Sequence, residues 1–156
     1  MPQQLQLNEK EKAAPFNGGK EVLTSDNVFV YGSLKNGFPL HGLLANAEFL
    51  GEGVTKKAAF KMFTANDAWP AVIQGNRRIK GEVYKVDKTT LDRLDMAEGV
   101  PHLFERKLLK VKGFHGLANV YIAADRLENV GKRLQYESPR IRFDKRYNYQ
   151  EWVNAQ

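Results

Sequence analysis

A dense apolar run that stops at a glycine constrains this chain most: Val28-Phe29-Val30-Tyr31, then Gly32-Ser33-Leu34-Lys35. β-Branched and aromatic residues in unbroken succession read as a strand, here spanning Asn27 to Tyr31. Gly32 permits a backbone turn that residues with a Cβ resist. Beyond that turn, the successive N–H groups of Gly32, Ser33 and Leu34 can form a concave anion site. A carboxylate bound there would be held by charge-assisted hydrogen bonds. The competing reading is an ordinary strand–turn junction, where Tyr-Gly-Ser is common.

The second constraint lies further along, in Leu94-Asp95-Met96-Ala97-Glu98-Gly99. Asp87 can cap a helix from about Lys88 to Ala97, Gly99 can terminate it, and Pro101 keeps it from continuing. At ~100° per residue, Leu91, Leu94 and Glu98 fall within about 60° of one another. Leucines that face the core therefore turn Glu98 to the same side. Burial, the like charge of Asp95 at i−3 and the helix dipole all act to hold its proton. A glutamate with a raised pKa runs general acid–base catalysis near neutrality. In the structural alternative, Glu98 accepts a bond from a backbone amide or from an arginine such as Arg106. Asp95 reads as structural, for example capping the loop around Gly99.

With 156 residues, 42% of them hydrophobic, the chain is expected to form one domain with a buried core. It has no cysteine, which removes disulfides, thiolate metal sites and a cysteine nucleophile, and which fits a reducing compartment. No apolar run approaches the ~20 residues that span a bilayer. Met1 to Asp26 lacks the apolar centre of a secretory signal. The expectation is a cytoplasmic protein without a membrane anchor. The formal charge of +6 raises nucleic-acid binding as a possibility. The basic groups are scattered, however: Lys56-Lys57, Arg77-Arg78, Lys107 to Lys112 and Arg140 to Arg146. Each is mixed with apolar or acidic residues, as on solvated strand faces. That argues against a nucleic-acid surface and suits the attraction of small acidic metabolites.

Other chemistry is poorly supported. His41, His102 and His115 show no metal-ligand spacing, and no metal site is expected. Ser33 lacks the glycine pattern of a nucleophile elbow. No Walker loop or dinucleotide fingerprint is present. Trp69, Phe38, Phe63 and Tyr84 are candidates to line a pocket, with aromatic core packing as the competing role.

Met1 to Asp26 reads as a flexible, polar tail, and residues 27–156 as the domain. In that domain, strand signals cover Phe49 to Phe63, Ala71 to Ile73, Ile79 to Val86, Phe104 to Val111 and Leu117 to Ala123. Gly75-Asn76 reads as a hairpin turn. His41 to Ala47 suggests one or two helical turns, and Asp125 to Leu134 a weak helix. The last segment, Ile141 to Trp152, is basic and aromatic. Short strands with one good helix predict an α+β domain, a small mixed β-barrel with short peripheral helices.

At these residues the chain resembles the gamma-glutamylcyclotransferase-like family, in particular its gamma-glutamylamine cyclotransferase and avirulence-induced plant branch. Phe29-Val30-Tyr31-Gly32-Ser33-Leu34-Lys35 looks like the family signature, and Gly37-Phe38-Pro39-Leu40-His41 follows as in that branch. Gly81-Glu82-Val83-Tyr84 is similar to the mid-chain strand. Leu91 through Glu98, then Phe104-Glu105-Arg106, is similar to the catalytic helix and the strand after it. Arg146-Tyr147-Asn148 resembles a C-terminal motif. Coverage runs from about Asn27 to Tyr149.

The resemblance implies a small β-barrel with a cavity at one end. It implies that Tyr31, Gly32, Ser33 and Leu34 bind the α-carboxylate of a gamma-glutamyl group, and that Glu98 is the catalytic acid–base. The implied reaction is intramolecular. The substrate's α-amine attacks its own γ-carbonyl, releasing an amine and 5-oxoproline, with no metal or organic cofactor. This suits the residues present, because the substrate supplies its own nucleophile. Phe104 departs from the pattern, standing where the family often has tyrosine, and the N-terminal tail is extra. These departures motivate the second reading, a non-catalytic binding module on the same fold. The basic C-terminal strip motivates the third, nucleic-acid binding.

Overall fold

The computed structural model describes residues 25–154 and, before them, the backbone of two short strands, β1 (Phe16–Asn17) and β2 (Lys20–Glu21), which pair antiparallel. The rest of the expected tail, residues 1–15, 18–19 and 22–24, lies outside the described residues, as do 155 and 156. Ser25 and Asp26, read above as tail, are bonded to the body. The Asp26 carbonyl accepts from the Val86 N–H at 2.8 Å, and the Ser25 carbonyl from the Asn119 side chain at 2.9 Å.

In chain order the domain then runs β3 (Asn27–Val30), a single 3-10 turn (His41–Leu44), β4 (Glu48–Val54), β5 (Phe60–Phe63), β6 (Ala71–Gln74), β7 (Arg78–Lys85) and α1 (Lys88–Ala97). It continues with β8 (Phe104–Leu109), β9 (Ala118–Ala123), α2 (Asp125–Arg133), β10 (Ile141–Asp144) and β11 (Tyr149–Trp152). The α+β expectation holds. Phe49 to Phe63 is two strands rather than one. The Gly75-Asn76 turn is present, but the strands that it joins, β6 and β7, lie in different sheets.

β3 is central because both of its faces are apolar. Val28 and Val30 pack into one core cluster with Tyr84, Leu94, Phe104 and Tyr121. Phe29 and Tyr31 pack into the other, with Val83, Val120, Met62 and Trp152. A strand buried on two sides must also be paired on two edges, since an orphan ladder there would be costly. β7 pairs with β3 antiparallel, setting Val30 opposite Glu82, and β9 pairs with it in parallel through Val28 and Asn119.

The main sheet follows the order β10-β11-β7-β3-β9-β8, with β4 on the other edge of β7. β5 and β6 form a separate two-stranded sheet. The expected barrel is not closed. Between β4 and β8 the ladder shrinks to one bridge, Thr55 opposite Val111. The sheet curls towards closure there without a continuous seam.

The Asp87 cap, the helix bounds and the Gly99 stop agree with the sequence reading. The Asp87 carboxylate accepts from the Thr90 N–H at 2.7 Å. Gly99 sits at φ +64°, a left-handed conformation that glycine adopts without strain.

The close approach of β3 and β7 gives a direct test of the frame. A Cβ at Gly81 would stand 2.3 Å from the Val30 carbonyl oxygen and 2.8 Å from Phe29 Cζ. Backbone cannot give way cheaply, so Gly81→Ala is expected to lower stability by about 1–3 kcal/mol or more. Gly42→Ala, with nothing within 4 Å of its Cβ, is the control and should stay close to wild type. Urea unfolding of the two variants measures the difference.

Candidate active site

The chain emerging from β3 turns immediately. The Lys35 N–H closes the turn on the Gly32 carbonyl at 3.0 Å, and the Leu40 N–H reaches the Ser33 carbonyl at 2.8 Å. From outside, His41 Nδ1 lies 2.9 Å from the Leu34 carbonyl, and the buried Lys35 ammonium donates to the Trp152 carbonyl at 2.7 Å. Among the described residues no acceptor is recorded for the N–H groups of Ser33 and Leu34. The glycine is needed for a different reason from the one expected. Gly32 does not adopt a positive φ; a Cβ there would stand 2.7 Å from the Pro70 ring.

Glu98 is the residue that ends α1. Its N–H still donates to the Leu94 carbonyl at 2.9 Å, and Gly99 then turns the chain away. Leu94 is fully buried, and Glu98 follows it inward, as the helical spacing predicts. Tyr31, Gly32, Ser33, Leu34 and Glu98 all line one cavity of about 220 Å³. Burial pushes the Glu98 carboxyl up to about 7. Its side chain has no hydrogen-bond or ion-pair partner among the described residues.

The two acids of this helix end have divided fates. Arg106, considered above as a partner for Glu98, pairs with Asp95 instead, Nε to Oδ1 at 2.9 Å. The Tyr121 hydroxyl donates to the same oxygen at 2.8 Å, and Arg106 also donates to the Asn119 side chain at 2.7 Å. Asp95 is therefore structural: its side chain braces the cavity wall, and its main-chain carbonyl accepts from the Val100 N–H at 3.0 Å in the loop around Gly99. Its charge is matched by a cation, and burial is what holds the Glu98 proton. The Tyr31 hydroxyl donates to the Tyr121 carbonyl at 2.7 Å, so it holds β3 against β9. Burial first, then the Glu98 charge, raises its pKa.

Four aromatic residues were candidates for the lining, and only Trp69 lies there. Its ring centroid is 6.0 Å from that of Phe104. Phe63 belongs to the core and also lines a second hollow with Met62 and Arg77, Tyr84 belongs to the core, and Phe38 packs against it. The sequence reading missed Tyr121, Pro70, Leu40 and Leu103 as lining residues. The largely apolar run of β9, buried in the structure at every residue but Ile122, was a signal for Tyr121, but nothing local marked the other three. The basic C-terminal strip is largely committed internally. Arg142 pairs with Glu151, while Arg140 stacks 4.2 Å from the Trp152 ring and donates to the Asp67 and Val153 carbonyls. No group of metal-binding side chains occurs among the described residues, and no helix there is long and apolar enough to cross a membrane.

The curled mixed sheet with its two helices agrees with the fold that comparison with known proteins shows. Residues 28–150 match the profile of the family described as gamma-glutamyl cyclotransferase, AIG2-like. A candidate gamma-glutamylcyclotransferase of Methanocaldococcus jannaschii is 41% identical over 87 residues, 54% of this chain and 70% of that one. The gamma-glutamylaminecyclotransferase A of Danio rerio is 34% identical over 98 residues, 58% of this chain and 61% of that one. Among solved structures, an uncharacterised protein of Pyrococcus horikoshii superposes with a TM-score of 0.56 at 30% identity, covering 65% of this chain and 80% of its own. The chain belongs to the gamma-glutamyl cyclotransferase, AIG2-like family.

The Glu98 environment makes a prediction about stability. The carboxyl is protonated more readily folded than unfolded, between its ordinary 4.5 and about 7. In that window the native state binds more protons than the unfolded state. Stability from this group is full below about 4.5 and is lost as the pH rises through about 7. Glu98→Gln keeps the shape without the charge. It is expected to be more stable than wild type at pH 8, by on the order of 2 kcal/mol after allowing for partial solvent access, and equal to it at low pH. Thermal melts of both proteins across that range check the sign.

Proposed function

We propose that the protein is a gamma-glutamyl cyclotransferase that converts a gamma-glutamylamine, or a related small gamma-glutamyl amide, to 5-oxoproline and the free amine. The observation that carries this reading is the unpartnered Glu98 carboxyl, held up at about 7, in the same cavity as Ser33 and Leu34. Family membership supports the reaction class, and the name of the Danio rerio relative supports an amine as leaving group.

On this reading the main-chain amides of the turn bind the substrate's α-carboxylate, and the substrate folds so that its α-amine meets its γ-carbonyl carbon. Holding the two ends together supplies a large part of the rate, because a well-oriented intramolecular attack has an effective molarity of about 10⁵ M or more. Glu98, as carboxylate, removes a proton from the α-ammonium. The freed amine forms the new C–N bond as the γ-carbonyl becomes tetrahedral. Collapse breaks the original amide C–N bond as Glu98 returns its proton to the departing nitrogen, and Glu98 then passes the second proton of the ring nitrogen to the released amine, which leaves as its ammonium. Phe104 and Trp69 keep the wall apolar, which strengthens each electrostatic contact inside.

A panel of gamma-glutamyl amides assayed for 5-oxoproline tests the proposal. Wild type should form product, and Glu98→Gln should lose about 10²-fold or more in kcat. In wild type, kcat/KM should fall on the acid side of about pH 7, where Glu98 becomes protonated in the free enzyme. Equal rates in the two proteins refute the assignment of Glu98. Thermal stabilisation by 5-oxoproline without turnover of any amide would indicate a binding module.

A further inference from the structure

The lining of the cavity sorts by exposure into two chemistries. Of its side chains with polar atoms, Tyr31 and Tyr121 are buried and Glu98, Ser33 and Trp69 half-buried; none is exposed. Its exposed members are Leu40, Ala97 and Leu103, every one apolar. Leu40 is 38% exposed and Leu103 39%, so these side chains form the mouth. They come from two separate segments of the chain. The Leu40 N–H is bonded to the Ser33 carbonyl of the turn, and the Leu103 N–H to the Gly99 carbonyl beyond the helix end, each at 2.8 Å.

No charge beside Glu98 reaches the lining. Arg106 and Asp95 neutralise each other behind the wall, with Tyr121 on the same carboxylate. Lys35 is turned to the Trp152 carbonyl and His41 to the Leu34 carbonyl. His102, next to Leu103 in the chain, does not line the cavity. Nothing at the mouth would pair with an ammonium or a carboxylate on the amine side of a substrate. At about 220 Å³ the cavity is also below the roughly 300 Å³ at which pockets begin to enclose a drug-sized ligand. A gamma-glutamyl group that fills the interior sends its amine substituent to the mouth.

Resting on the cyclotransferase reading, we infer that this mouth selects an apolar, uncharged amine as the leaving group, with Leu40 and Leu103 as the specificity-determining side chains. An alkyl substituent gains by covering them. An ammonium or carboxylate of the same size loses solvation against them and finds no partner. The contacts are remote from the reacting atoms and are the same in ground and transition states, so the preference belongs in KM.

Three amides of one gamma-glutamyl group test this: the n-propylamide, the 2-aminoethylamide and the carboxymethylamide, each assayed for 5-oxoproline. The n-propylamide should exceed both charged amides by about tenfold or more in kcat/KM, mainly through KM. Leu103→Glu should shift preference towards the 2-aminoethylamide, and Leu103→Lys towards the carboxymethylamide. Leu40→Glu repeats the first shift from a second position at the mouth, in case Leu103 variants fold poorly. If the three amides turn over at similar kcat/KM, or the charge variants leave the order unchanged, the selectivity is overturned while the cyclotransferase reading stands, because product has formed. If none yields 5-oxoproline, that reading falls and the selectivity falls with it.

Discussion

Burial of β3 on both faces is the constraint on which the rest of the molecule depends. Its alternate side chains feed two core clusters, and its two edges are taken by β7 and β9. A strand so enclosed has fixed register and little freedom to slide, because a one-residue slip would exchange its two faces. The turn at its end is therefore delivered to one place. Gly81 and Gly32 let this happen at close range, the first against the Val30 carbonyl and the second against Pro70. Both glycines serve packing, with neither in a left-handed conformation.

The chemistry of the cavity depends on a second division, between the two acids at the end of α1. Asp95 and Glu98 are less than one helical turn apart, and the structure supplies a cation to only one. Arg106 and the Tyr121 hydroxyl satisfy Asp95, which leaves Glu98 with its desolvation uncompensated. Like charges beside one another would have raised the Glu98 pKa by repulsion. A paired Asp95 leaves burial as the cause, and burial depends on the shape of the cavity. The proton affinity of Glu98 is thus tied to the same walls that would hold a substrate.

Much of this was legible from residues and spacing. The Asp87 cap, the Lys88–Ala97 helix and the inward side of Glu98 follow from local rules, because a short helix with a cap, two core leucines and a glycine stop leaves few alternatives. The apolar run at Val28 announced a strand for the same reason. What was not legible was long-range. Whether Arg106 would choose Asp95 or Glu98 depends on how β8 crosses α1, and no spacing reveals that. The turn around Gly75 looked like a hairpin, yet its strands belong to different sheets. The barrel failed to close because β4 and β8 meet at a single bridge, Thr55 with Val111, a long-range pairing that short strand signals do not carry. Pro70 and Leu103 reach the cavity from loops, where periodicity is silent.

A cavity with an unpaired carboxyl and unmet amides works against folding, and a chain free to relax would close it. Here the polar groups around the hollow have partners of their own. Tyr31 is tied to the Tyr121 carbonyl, His41 to Leu34, Lys35 to Trp152 and Arg106 to Asp95. Tyr31, Tyr121 and Leu34 line the hollow, so the first two bonds fix three of its wall residues in place. To fill the cavity with its own side chains, the protein would have to break these bonds; for the two buried ones, from Tyr31 and Lys35, an orphaned partner costs about 1–3 kcal/mol each. The unsatisfied groups inside persist because the satisfied groups outside cannot let go, and this leaves the interior open to a ligand that brings the missing charge and acceptors with it.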